Sequence, residues 1–302
     1  MPNRSFKEYI ANRFYSEFSD AITDYIGDDI DQAELHLFRV QAVGDWEISD
    51  IDVRYVSVSD LPGMMIQFDA VVDAEFYVRD ANHSTDVDEE THQQFLLRCL
   101  GDLAHNLDDI QISTVSLGHT RSKAAAPLSD SLVPIIHSED LERIAEDFLR
   151  KHYPEVLTKP MYLDPAELAR RMGLSVRLQR LTEDFSVFGQ LIFSDTKTAL
   201  YNAETDCMVA TDVKGGTILV DPQNFFMRNL GSVNNTIVHE CVHWDKHRKA
   251  FELERLYNAT ATQIQCRTVG GIKDSTARSA SDWMEWQANA LAPKIQMPLA
   301  PF

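Results

Sequence analysis

The sequence is poor in cysteine, in basic side chains and in long apolar runs. Its four cysteines, Cys99, Cys207, Cys241 and Cys266, are scattered and include no C-x-x-C pair. That excludes a disulfide scaffold and a cysteine-rich zinc framework, and leaves reduced, partly buried thiols. Lys and Arg number 28 against 47 Asp and Glu, a net charge of −19. A chain so short of positive charge has no general attraction to phosphate backbones or anionic lipid, so neither nucleic acid nor a membrane surface is an expected partner. The longest apolar stretches, around Met64–Ile66 and Ser131–Ile136, fall far short of the roughly 20 residues that cross a bilayer. Residues 1–30 mix charges with aromatics and hold no apolar signal core, so the expected location is cytoplasmic. No repeat with a period of roughly 20 to 50 residues is visible, which excludes solenoids and propellers.

What is present is a core-forming composition. The chain has 302 residues, 44% of them hydrophobic, and that length favours two domains. The acidity is lopsided: residues 1–125 carry 24 acidic and 9 basic side chains, the remainder 23 and 19. The stretch from Gly118 to Pro134 is rich in small and polar residues and falls near the change in charge balance. The expected organisation is an acidic α+β domain over 1–125 with no assigned role, a linker over 126–137, and a second domain over 138–302.

In the first domain Phe6, Tyr9, Ile10, Phe14, Phe18 and Ile22 recur at helical spacing. Strand-like runs cover Glu34–Val43, Asp52–Val58 and Met64–Val78; a helix is expected over Glu90–Leu107 and a short strand over Ile110–Val115. The acidic run Asp86–Glu90 reads as a solvated loop before that helix. In the second domain Ser138–His152 reads as a helix. Asp164–Leu174 reads as another, with Pro165 at its first position and Gly173 after its end. A helix-turn-helix is not expected from this segment, because Val176–Leu178 continues as a strand. Further strands are expected at Phe188–Phe193 and Gly216–Pro222.

The chemistry lies in His239-Glu240-Cys241-Val242-His243, an H-E-x-x-H within the helical span Ser232–Leu256, for which Ser232 and Asn234 are the candidate caps. On a helix, residues i and i+4 share a face with a rise of roughly 6 Å, so two imidazoles can converge on one ion with the Glu beside its open side. Zinc is the natural occupant. A tetrahedral catalytic site needs a third protein ligand. His247 is too far along the helix to close the site with both histidines. Beyond Arg255 there is no further His and a single Glu, Glu285. Glu285 is therefore the expected third ligand, and Glu240 the expected general base. Cys241, about 100° around the helix from each neighbour, reads as a packed thiol. The polar stretch Ala259–Asp282 reads as an inserted loop.

The pairing of H-E-x-x-H with Glu285-Trp286-Gln287-Ala288-Asn289 and Met297-Pro298 resembles the ImmA/IrrE family of zinc metallopeptidases, over roughly residues 138–302. The resemblance implies a compact zincin-like (gluzincin) fold and zinc held by His239, His243 and Glu285, with Glu240 as general base. It also implies a protein substrate, such as a helix-turn-helix repressor, aligned by β-augmentation on an edge strand for which Ile218–Val220 is the candidate. Tyr257, Arg278 and His247 are candidate oxyanion donors, and Asp245 and Asp282 candidate partners of the imidazoles. The alternative is a non-catalytic, metal-stabilised regulatory module whose acidic domain binds a partner.

Overall fold

The computed structural model describes residues 4–81, 88–118, 126–223, 229–259, 261, 263–267 (as backbone) and 279–299. The chain is α+β, and its described residues form two compact units that divide between Ile135 and Ile136. Among the described residues, no helix is long and apolar enough to cross a membrane.

The first unit is an antiparallel sheet covered by two helices. Helices α1 (Phe6–Arg13) and α2 (Tyr15–Ile26) are separated at Phe14. Phe6, Ile10, Phe14, Phe18, Ile22 and Ile26, each four residues apart, are all buried. The strands are β1 (Val43–Asp60), β2 (Met65–Asp80), β3 (Asp88–Asp102), β4 (Gln111–Leu117) and β5 (Pro127–Leu128), in the order β4-β3-β2-β1-β5. Along β2, Phe68, Ala70, Val72, Ala74, Phe76 and Val78 alternate onto one buried face. Phe6 meets Phe68 edge to face at 5.3 Å, which places the helices over that face.

Several expectations fail in this unit. Residues 90–102 are strand, not helix; only Leu103–His105 forms a single 3-10 turn. Phe95, Leu97 and Cys99 alternate inward, and pairing with β2 and β4 satisfies a backbone whose local pattern fits either period. The run Glu34–Val43 is irregular up to the start of β1. Its backbone is held from a distance: the Glu89 carboxylate accepts from the N–H groups of Phe38, Arg39 and Val40 at 2.7–3.1 Å. These bonds, that from Arg39 foremost, hold the Glu89 carboxyl below the usual carboxylate range. Of the acidic run, 86–87 lie outside the described residues, and 88–90 open a strand rather than a helix. Residues 127–128, within the stretch expected to link the domains, pair with Ser59 and Val58 of β1.

The second unit opens with α3 (Leu141–His152) and α4 (Pro165–Arg171). Asp164 caps α4 by accepting from Ala166 and Glu167, and Gly173 follows it at φ 78°, a conformation glycine adopts without strain. A mixed sheet is built from β6 (Ser175–Leu178), β7 (Val187–Ile192), β10 (Thr217–Val220) and β11 (Gln263–Arg267); β8 (Thr196–Asn202) and β9 (Cys207–Val213) form a separate hairpin. The sheet order is β11-β7-β10-β6, with β10 parallel to β6 and antiparallel to β7.

This order corrects one expectation directly. Ile218–Val220 is not an edge strand, because β10 is hydrogen bonded on both sides. Its four residues are all buried, as continuous apolar strands between neighbours are. No further strand can be added to it.

The remaining helices are α5 (Leu230–Lys246), α6 (Arg248–Tyr257) and α7 (Ala280–Gln296). The helical span expected from Ser232 to Leu256 is thus divided at His247, and the N-cap of α5 is Asn229, whose side chain accepts from Ser232 N–H. Phe193, just beyond β7, stacks on Trp244 of α5 at 5.7 Å and on Phe251 of α6 at 4.2 Å. Those rings fix both helices against the end of β7. Helix α7 starts with a capping box between Ser279 and Asp282 and buries Met284, Gln287, Ala288, Leu291, Ala292 and Ile295 at helical spacing. Gln296 donates to Asn235 of α5 at 2.9 Å, and Lys294 pairs with Glu142 of α3.

Candidate metal centre

Helix α5 carries His239, Glu240 and His243 into the core, where each is no more than 2% exposed. Helix α7, tied to α5 and α3 as described, delivers Glu285 from a separate part of the chain. His239 Nε2 and His243 Nε2 are 3.0 Å apart. Glu285 Oε2 lies 3.4 Å from His239 Nε2, and Glu285 Oε1 lies 3.3 Å from His243 Nε2. Tetrahedral zinc with donors at roughly 2.0–2.1 Å separates those donors by about 3.4 Å. The two ring nitrogens at 3.0 Å, each with a different Glu285 oxygen at 3.3–3.4 Å, are separations of that order, and one ligand atom from each of the three residues lies within 4.8 Å of the others. Among the described residues, this is the only group of three or more His, Cys, Asp or Glu ligand atoms lying this close together.

The proton arrangement points the same way. His247 is fully buried; its Nε2 is 2.9 Å from Gln287 Oε1 and its Nδ1 2.9 Å from His243 Nδ1. An amide oxygen only accepts, so His247 Nε2 carries the proton and its Nδ1 presents a lone pair. His243 Nδ1 must then donate, which leaves the His243 Nε2 lone pair facing His239 and Glu285. Burial holds His247 neutral, its pKa well below the usual histidine value. Burial likewise lowers His243. For His239, burial is outweighed by Glu285, Glu240 and a hydrogen bond that the ring donates to Asn289, and the pKa rises. Burial would also raise Glu285, but its contacts with the two imidazoles hold it well below the carboxylate range.

Glu240 is fully buried against β7, where the backbone makes room for it. A Cβ built on Gly189 would collide with the Thr236 methyl and approach Glu240 Oε1 to 3.0 Å. Position 189 thus admits only glycine without displacing the helix that carries the carboxylate. Such close approach of helix to strand is a common reason for glycine within a strand.

The structure brings together His239, His243 and Glu285, with Glu240 adjacent on the same helix. Other expected roles fall elsewhere. His247, one of three candidate oxyanion donors, is engaged by His243 and Gln287. Asp245 does not reach an imidazole of the cluster: it accepts from Lys151 at 2.7 Å and His152 at 2.9 Å, joining α5 to α3. Asp282 caps α7. Tyr257 ends α6 and is 37% exposed, and Arg278 lies outside the described residues. Cys241 is a buried thiol, its pKa pushed up by burial, consistent with a packed side chain. Sequence reasoning missed Gln287, Asn289 and Gly189 as parts of the site. The Glu285/Asn289 spacing of four was the one available signal, since it places both on one face of α7.

No protein-family model, no curated protein and no solved structure matches this chain.

Proposed function

We propose that the second unit is a zincin-like zinc metallopeptidase, similar to the ImmA/IrrE family, that hydrolyses a peptide bond in a regulatory protein such as a helix-turn-helix repressor. The observation that carries the reading is the convergence of His239, His243 and Glu285, whose ligand atoms lie within 4.8 Å of one another, with the Glu240 carboxylate one residue from the first of them. A purely structural metal site has no use for that fourth group.

In this reading His239 Nε2, His243 Nε2 and one Glu285 oxygen would hold the ion. Zinc bound there supplies Lewis acidity toward the scissile carbonyl and toward a water molecule. Glu240 accepts the proton that this water releases as its oxygen attacks the carbonyl carbon. Glu240 then returns the proton to the amine as the C–N bond breaks, so the carboxylate is regenerated. His247 and Gln287 fix the tautomer and ring plane of His243, and Asn289 steadies His239. Burial of Glu240 beside Gly189 keeps bulk water from competing for its proton.

The test compares the zinc-loaded chain with Glu240→Gln. Zinc is measured by elemental mass spectrometry, and cleavage of a diverse library of unstructured peptides by mass spectrometry of the products. The expected result is about one zinc per chain in both proteins and cleavage only by the unsubstituted one. Equal cleavage by Glu240→Gln overturns its role as base. Full zinc occupancy with no cleavage across the library by any variant of the chain favours a metal-stabilised, non-catalytic module.

A further inference from the structure

Strand β7 runs beside the metal cluster: its Gly189 lies against Glu240, and its partner on the inner side is β10. Its outer side is taken by β11, which pairs antiparallel with Gln263 opposite Ile192, Ile264 opposite Leu191, Gln265 opposite Gln190 and Cys266 opposite Gly189. Beyond Cys266 the register is irregular before Arg267 meets Val187. Strand β11 lies between α6 and α7, within the polar stretch that the sequence marks as an insertion between the two halves of the ligand set. Without it, β7 would be an edge strand of six residues. The N–H and C=O groups along its outer side would then be open to an extended peptide, and Gly189 would stand next to the proposed base. An exposed edge of this kind recruits strands.

Building on the peptidase reading, we infer that β11 is an autoinhibitory strand: it occupies in cis the edge of β7 on which an extended substrate segment is aligned, and cleavage requires its release. The occupant it excludes is an extended stretch of polypeptide lying antiparallel to β7, as β11 itself does. Competition is through main-chain hydrogen bonds, so the device regulates access rather than side-chain specificity.

Two variants test the inference in the full zinc-loaded chain. Adjacent residues of a strand direct their N–H groups to opposite sides, so the double substitution Ile264→Pro/Gln265→Pro removes whichever N–H faces β7. In the second, Gln190→Cys and Gln265→Cys, directly opposite in register, are placed in a Cys207→Ser/Cys266→Ser background and oxidised to lock β11 in place; opposed antiparallel residues lie within disulfide reach. The proline variant is expected to keep its zinc and to cleave the peptide library several-fold faster than the unsubstituted chain. The oxidised variant is expected to lose cleavage and recover it on reduction. A binding readout independent of turnover uses a labelled synthetic peptide copying residues 261–269, followed by fluorescence anisotropy. This probe should bind the proline variant and not the locked one.

An oxidised variant that cleaves as fast as its reduced form overturns the inference, as does a probe that binds neither variant or both equally. If the probe binds only the proline variant while no protein cleaves any peptide, the strand-displacement half stands and it is the peptidase reading that fails.

Discussion

His247 Nδ1 lies 2.9 Å from His243 Nδ1, and the two nitrogens can share only one proton. Because Gln287 Oε1 holds His247 in the tautomer protonated at Nε2, the shared proton belongs to His243. A ligand histidine whose outer nitrogen donates to a fixed acceptor is both oriented and made more basic. His247→Ala is therefore expected to weaken zinc binding by about 10–100-fold, the usual cost of losing such a partner. Gln287→Leu should act in the same direction and less strongly, since His247 itself remains. Competition with a fluorescent chelator measures both, and circular dichroism checks that the helices persist. Unchanged zinc affinity in His247→Ala would show that the chain of ring nitrogens has no bearing on the metal.

Glu285 tests the ligand set from the other helix. Its two oxygens are each within 3.4 Å of an imidazole nitrogen, so removal takes away the only carboxylate of the cluster. Glu285→Ala is expected to lose most of its zinc on dialysis, whereas Glu240→Gln keeps it. A Glu285→Ala protein that retains stoichiometric zinc would place the third ligand elsewhere.

Gly189 is a steric prediction. Alanine there brings its Cβ against the Thr236 methyl and 3.0 Å from Glu240 Oε1, so α5 or the carboxylate has to move. Overpacking of this kind costs about 1–3 kcal/mol. Gly189→Ala should unfold at lower urea concentration and lose turnover while still binding zinc. Thr236→Ser, which deletes the offending methyl, should restore part of the stability in the double variant. No rescue would mean that the collision is relieved by a route other than Thr236.

How much of this was legible in the sequence depends on the range over which each feature is encoded. His239, His243 and Glu240 follow from helical geometry alone, because i and i+4 share a face. Glu285 follows from elimination, since the chain beyond Arg255 offers no rival glutamate or histidine. Strand β3 was misread because Phe95-Leu96-Leu97 and Leu100 fit a helical stripe as readily as a buried strand, and only pairing with β2 and β4 decides. The misplaced edge has the same origin. Whether Ile218–Val220 lies at the border of its sheet depends on where β6, β7 and β11 pair, which no local pattern specifies. His247 was visible as a residue but not as a relay, because its partner Gln287 is forty positions away on another helix.

Asp245 separates the two kinds of polar group around the site. It lies two residues after His243, yet its carboxylate turns to α3, accepting from Lys151 at 2.7 Å and His152 at 2.9 Å. The side chain is 5% exposed. Burial would raise its pKa, but His152, Lys246 and Lys151 together hold it well below the usual range. Asp245→Asn keeps the shape and removes the charge, leaving His152 and Lys151 facing a neutral amide. The hydrogen bonds at stake are charge-assisted, but Lys151 is largely exposed and recovers water. A loss of about 1–3 kcal/mol is expected in urea unfolding. Zinc affinity should be unchanged, in contrast to His247→Ala, because no bond links Asp245 to the ligand rings. If Asp245→Asn instead lowers zinc affinity as much as His247→Ala does while leaving stability intact, the division between the α3 anchor and the imidazole relay is wrong.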